Sequence, residues 1–136
     1  MPAWPSSVRD APAATALQLA AAITAEGLPL SSLDHLAAMG YTAAELGQLV
    51  INPRTLRHRR SRHEMLSSEE ADRVVRLARI FGHAEEVFGD RTRAWDWLRA
   101  PNLSLEHHVP VLLLQTETGA RIVEEALTRI DEGIFA

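Results

Sequence analysis

Helix punctuation recurs along this chain at short intervals, with no stretch of alternating polar and apolar residues long enough for a strand. Thr42-Ala43-Ala44-Glu45 and Ser67-Ser68-Glu69-Glu70 both have capping-box spacing, in which a hydroxyl and a carboxylate three residues apart satisfy each other's backbone N–H. Asn52-Pro53 is an N-cap followed by proline at the first helical position, where its missing N–H costs nothing. Asp90 and Thr116 open two more helices, while Gly27, Gly40, Gly89, Pro101 and Gly133 stand where helices should stop. These signals predict an all-α chain. Its helices run from Ala13 to Glu26, Ser32 to Met39, about 43–50, Pro53 to about His63, 67–88 and 90–100, with a short apolar helix from Pro110 and a last one from Thr116 to Gly133.

The apolar stripe of the fifth segment (Val74, Leu77, Ala78, Phe81, Ala84, Phe88) advances in steps of three and four, as an amphipathic helix requires. Glu69–Arg73 and Asp72–Arg76 are spaced as ion pairs on its wet side. The last helix repeats the pattern with Ile122, Val123, Ala126, Leu127 and Ile130. The expected core of a C-terminal helical domain is Val74, Leu77, Phe81, Phe88, Leu98, Val123, Leu127 and Ile130. Three segments result: a loose Pro/Ser/Ala-rich tail over 1–11, a helix-turn-helix-like region over 12–66, and a C-terminal helical domain over 67–136.

Charge divides along the same line. Residues 1–66 carry six Arg and five acidic residues, and residues 67–136 carry eight and thirteen. Most of the positive charge of the first part lies on one helix, Pro53 to His63. At about 100° per residue, Arg54, Arg57, His58, Ser61 and Arg62 share a face, with Leu56 opposite and flanked by Arg59 and Arg60. A helix exposing such a face, after a capped helix and a tight turn, has the layout of a helix-turn-helix, and arginine forks onto phosphates and guanine edges. The DNA-contacting candidates are therefore Arg54, Arg57, His58 and Arg62. A solvated basic face, or one paired with the acidic C-terminal part, is the alternative. In phage-repressor sequences a small residue precedes the recognition-helix leucine by about ten positions. Here Gly47 precedes Leu56 by nine, so the turn is a residue short or the helices pack differently.

Other chemistries lack their residues. There is no Cys, so thiolate metal sites and disulfides are excluded, which suits a reducing, cytoplasmic setting. His58 and His63 are five apart and point in different directions, and His107-His108 are adjacent in a loop. With His35 and His83 they read as solvated or loop histidines rather than metal ligands. No phosphate loop, nucleophile elbow or zinc-protease motif is present, so no catalytic residue and no cofactor are assigned. No apolar run approaches the roughly 20 residues of a membrane span, and the N-terminus lacks a signal-peptide pattern. Near the C-terminus, Trp95 and Leu98 read as core, whereas Ile134-Phe135-Ala136 follow the helix-ending Gly133 and are too few to form a core of their own. They either fold back or fill a partner's pocket.

In order, the chain shows Arg54-Thr55-Leu56, Arg59-Arg60, Leu66-Ser67, Glu70-Ala71-Asp72-Arg73, Arg76-Leu77-Ala78-Arg79 and Ala84-Glu85-Glu86-Val87-Phe88-Gly89. Trp97-Leu98, Pro101-Asn102, Pro110, Leu113-Leu114, Thr116, Gly119, Val123 and Gly133-Ile134-Phe135-Ala136 complete the set. This ordered set, over roughly residues 52–136, resembles the Xre/MbcA/ParS antitoxins of RES-type toxin–antitoxin pairs. The resemblance implies a protein that binds a RES-domain toxin, an NAD-consuming enzyme, and blocks its active site with the C-terminal end. For this chain that end is Gly133, Ile134, Phe135 and Ala136. It also implies promoter binding through the helix-turn-helix region. One copy offers too little surface for tight specific binding, so two copies are expected on the DNA, as a homodimer. A stand-alone helical transcription regulator is the competing reading. The chain departs from the family at Glu106-His107, where glycine is usual, and at Leu112 and Gln115, where acids are common.

Overall fold

In a computed structural model, which describes residues 15–133, the capping residues do what their spacing predicts. Thr42 Oγ1 accepts from Glu45 N at 3.1 Å, and Glu45 returns the bond to Thr42 N at 2.9 Å. Ser67 and Glu70 make the same exchange at 3.2 and 2.8 Å. Asn52, Asp90 and Thr116 each accept from the backbone N–H three residues on. A further box, Thr15 with Gln18, starts the first helix at Ala16, while Ala13, where the sequence reading began it, lies outside the described residues. The α-helices are α1 Ala16–Ala25, α2 Ser32–Met39, α3 Ala43–Leu49, α4 Pro53–Ser61, α5 Ser68–Phe88, α6 Arg91–Arg99 and α7 Glu117–Asp131. No strand occurs among the described residues, only an isolated bridge between Asn102 and His108. None of the helices described is long and apolar enough to cross a membrane.

Two compact units divide between Ala78 and Arg79, inside α5. The first gathers Leu19, Leu28, Leu36, Leu49, Val74 and Leu77, each at most 2% exposed, as its core. Its connections are hydrogen-bonded rather than loose. Leu66 N donates to Leu28 O at 3.0 Å, joining two loops, and the Tyr41 hydroxyl donates to Leu77 O at 2.6 Å. Val74 and Leu77 thus belong to the first unit's core and not to a C-terminal one.

The second unit buries Ile80, Leu98, Leu114, Val123 and Leu127. Phe81 and Trp95 stack with centroids 5.3 Å apart, and the Arg99 guanidinium covers Trp95 at 3.9 Å. Such stacks add about 0.5–1.5 kcal/mol beyond the area they bury. Two residues of the expected core, Phe88 and Ile130, are not fully buried, nor is Ile122 of the last helix's stripe. Phe88 is only half-buried, because it lies at the end of α5 against Trp97 (6.0 Å), which is itself partly exposed. Ile130 is half-buried in the final turn of α7, and Ile122 is 44% exposed. Ile122 adjoins Val123 in sequence, and a stripe wide enough to include both exceeds the face that α7 buries. The apolar segment Pro110–Gln115 is a 3-10 helix, not an α-helix, and the preceding loop contains a 3-10 turn, Leu103–Leu105.

Gly119 shows how closely that 3-10 helix meets α7. A Cβ there would stand 1.9 Å from the Leu113 carbonyl oxygen, which is backbone and cannot swing aside. Gly82 is the opposite case: it sits in the exposed middle of α5 with nothing within 4 Å of a Cβ. Gly119→Ala should therefore destabilise the fold by about 3 kcal/mol or more, at or beyond the top of the overpacking range. Gly82→Ala should stabilise it by about 0.5–1 kcal/mol through helix propensity. Denaturant unfolding of the two variants checks both signs.

His35 is 3% exposed in α2 and not a solvated histidine. Burial pushes its imidazole below the ordinary 6.5, against an opposing pull from Asp34. Between the folded value and 6.5 the unfolded chain binds more protons than the native one. Stability is therefore full above about 6.5 and is lost as pH falls from there through the folded value. His35→Gln should flatten the decline in melting temperature between about pH 7 and pH 5 relative to the native chain. Parallel curves for the two proteins would remove His35 from the pH response.

Candidate nucleic-acid and partner interfaces

The basic face is built by a helix–turn–helix pair. α3 ends at Leu49, residues 50–52 turn, and α4 begins at Pro53. A Cβ at Gly47 would meet the Pro53 ring at 3.5 Å, ordinary contact distance, so the approach of α3 to α4 there does not depend on glycine. Gly47 and Leu56 are nine positions apart, and the two helices meet at the proline. Asn52 Oδ1 caps Thr55 N at 2.8 Å, and Arg73 donates to Val50 O at 3.1 Å, fixing the turn from α5.

α4 has no buried residue. Arg54, Arg57, His58, Ser61 and Arg62 are all exposed, as the helical spacing requires, while Leu56 is half-buried on the inner side. The helix ends at Ser61, earlier than the sequence suggests, so Arg62 stands at the C-cap instead of inside the last turn. Ser61 Oγ donates to His58 O at 2.8 Å, and His63 turns left-handed at φ +56°. Arg59 is diverted from the basic face: it pairs with Glu70. Glu70 is 7% exposed and also caps α5 through Ser67 N, so one carboxylate ties α4 to the start of α5. The capping-box spacing identified Glu70, but its partner across eleven residues has no local signal.

In the second unit, Arg79 binds Glu117 at 2.8 Å and Glu124 at 3.1 Å, fastening α5 to both turns of α7 that face it. The shallow hollow beside this network is lined by His83, Arg121, Glu124, Glu125, Thr128 and Arg129, a polar surface of both signs. No group of three or more potential metal ligands occurs among the described residues. α7 stops at Asp131, and Gly133 adopts φ +75° with its N–H bonded to Ile130 O at 3.0 Å. Gly133 thus ends the helix as expected, whereas Ile134, Phe135 and Ala136 lie outside the described residues.

Sequence marks the loop between Asn102 and His108 through Glu106-His107 and His107-His108, but not through Leu103. The loop carries Glu106 and His107 at φ +54° and +65°. Left-handed backbone costs a residue with a Cβ about 1–2 kcal/mol. Leu103 stands 78% exposed in the same loop.

Comparison with known proteins places both units. Residues 19–79 match the antitoxin Xre-like helix-turn-helix domain, and residues 83–133 match the antitoxin Xre/MbcA/ParS C-terminal toxin-binding domain. An antitoxin Xre from Yersinia enterocolitica is 36% identical over 87 residues, 63% of this chain and 59% of that protein. A Prs ADP-ribosylating antitoxin from Sphingobium sp. is 32% identical over 91 residues, 60% of this chain and 57% of that protein. The chain thus spans less than two thirds of the length of these two relatives. An antitoxin Xre from Photorhabdus laumondii is 30% identical over 120 residues, covering 85% of this chain and 80% of its own length. With a helix-turn-helix unit followed by a C-terminal unit of the toxin-binding type, and with similarity running through both, the chain belongs to the Xre family of antitoxins.

Proposed function

We propose that this antitoxin binds and neutralises a RES-domain enzyme that consumes NAD, and that it represses its own operon by binding promoter DNA. The observation that carries the reading is the pairing of two units: an arginine-rich helix with no fully buried residue after a tight turn, and a C-terminal unit matching a toxin-binding domain. The relative named as a Prs ADP-ribosylating antitoxin supports the choice of partner, because ADP-ribosyl transfer draws its group from NAD. On the DNA side, Arg54 and Arg57 reach from the body of α4, His58 adds a ring donor, and Arg62 reaches from its C-cap. A single helix of this size offers little surface, so two copies bind a roughly palindromic site.

On the toxin side, Gly133 follows the end of α7, and the residues assigned to the toxin contact are Gly133, Ile134, Phe135 and Ala136. A short apolar segment following a rigid helix loses little entropy on insertion, and an enzyme's substrate pocket is concave and largely apolar. Phe135 is the residue assigned to that pocket, closing the active site. No group of the antitoxin takes part in chemistry, and no cofactor is assigned to it.

Promoter affinity should fall with salt at a log–log slope of about −0.9 per phosphate contacted, and Arg57→Ala and Arg62→Ala should each flatten it by about one unit. Gel shifts over a salt series measure this; if both variants keep affinity and slope, DNA does not lie on this face.

Deleting residues 134–136 should leave a folded protein that still binds promoter DNA but no longer restrains NAD loss by the toxin. Full inhibition by the truncated chain would move the blocking contact elsewhere on the C-terminal unit. An adjoining gene product that neither co-purifies with the chain nor consumes NAD would favour the stand-alone regulator.

A further inference from the structure

We infer that the loop Asn102–His108 is a second, preformed contact for the toxin, with Leu103 entering an apolar recess and Glu106 meeting a cation at its rim. This rests on the toxin-binding reading above.

The loop is closed by its own hydrogen bonds. Asn102 Oδ1 accepts from Ser104 N at 2.9 Å and from Ser104 Oγ at 2.7 Å. Asn102 N donates to His108 O at 3.0 Å, while its carbonyl accepts from Leu105 N at 3.0 Å and His107 N at 2.8 Å. Leu105, 7% exposed, fastens the loop into its unit. Within that frame Leu103 is 78% exposed. Among the described residues of the second unit, the other exposed large apolar side chains are Leu112 at 45% and Ile122 at 44%, so Leu103 stands out well beyond them.

The backbone conformation adds an independent argument. Glu106 and His107 are consecutive, and both are left-handed at φ +54° and +65°. A turn that only reverses the chain is made more easily with glycine. Strain of this kind persists where the surroundings over-determine it, and it clusters at binding sites. Here it holds the loop in a fixed shape, so little ordering remains to be done on binding.

Charge selects the kind of recess. Glu106 N donates to Leu103 O at 3.2 Å, so an exposed acidic residue ends the same single turn that exposes Leu103. Residues 79–136 carry six Arg and ten acidic residues. An apolar tip with an acid beside it, on a negatively charged unit, complements an apolar recess with a basic rim. The loop lies inside the segment that matches the toxin-binding domain.

The test is titration calorimetry of the purified full chain against the purified product of the adjoining toxin gene. Leu103→Ala should weaken binding about tenfold or more and Leu103→Asp further, with melting temperatures unchanged because the side chain is exposed. Glu106→Gln should reduce the salt dependence of the affinity. If the native chain binds and both Leu103 variants bind within tenfold of it, the loop is not a contact. If the native chain does not bind the enzyme at all, the toxin-binding reading itself fails.

Discussion

The structure depends on α5 keeping an apolar face in register through Ser68–Phe88, because each compact unit takes part of its core from that one helix. Ala71, Val74, Leu77 and Ala78 serve the first unit, and Ile80, Phe81 and Ala84 the second. The start of the helix is set by Ser67 and Glu70, which settle two orphan N–H groups at once. Its exposed face tolerates Gly82, because a helix held by packing along its length does not rely on every residue's propensity.

The arginines divide by what they touch. Arg59, Arg73 and Arg79 are used internally, on Glu70, on the Val50 carbonyl and on the two α7 carboxylates. Two of these three brace the helix–turn–helix pair, one at its turn and one on the inner face of α4. Arg54, Arg57, Arg60 and Arg62 are left on the outside. Exposed cations with no burial to offset contribute little to stability, so their concentration on one short helix is a property of its surface, not of its folding. The guanidinium suits both tasks, because its planar fork binds carboxylates and backbone carbonyls as readily as phosphates.

In the second unit the sequence allows less freedom than its composition suggests. Gly119 permits an approach of backbone to backbone that no other residue allows. It also receives the Thr116 cap at 3.0 Å, so the start of α7 and its contact with the 3-10 helix are a single feature. The loop before that 3-10 helix is held by Asn102 and buried Leu105, and the left-handed pair Glu106-His107 follows from that closure.

Helix starts and stops were legible from sequence because caps are local: a side chain and an N–H three residues apart need no tertiary partner. The Thr42, Asn52, Ser67, Asp90 and Thr116 caps and the Gly40, Gly89 and Gly133 turns all act within a few residues of themselves. The exposed face of α4 was legible for the same reason, since helical periodicity alone puts Arg54, Arg57 and His58 together. What depends on neighbours was not. Ile122 and Ile130 are as apolar as Val123 and Leu127, yet only the contact made by α7 decides which of the four is buried. The capping box at Ser67 marks where a helix begins, while the units divide further along it, at Ala78, because compactness is set by packing and not by caps. The Arg59–Glu70 pair likewise arises only when α4 and the start of α5 meet, across eleven residues of sequence. The sequence by itself determined the all-α class, the capped helix starts and the basic face, all through interactions within one turn; tertiary structure decided which apolar residues are core and which, like Leu103, are left outside, because burial is a property of pairs of elements.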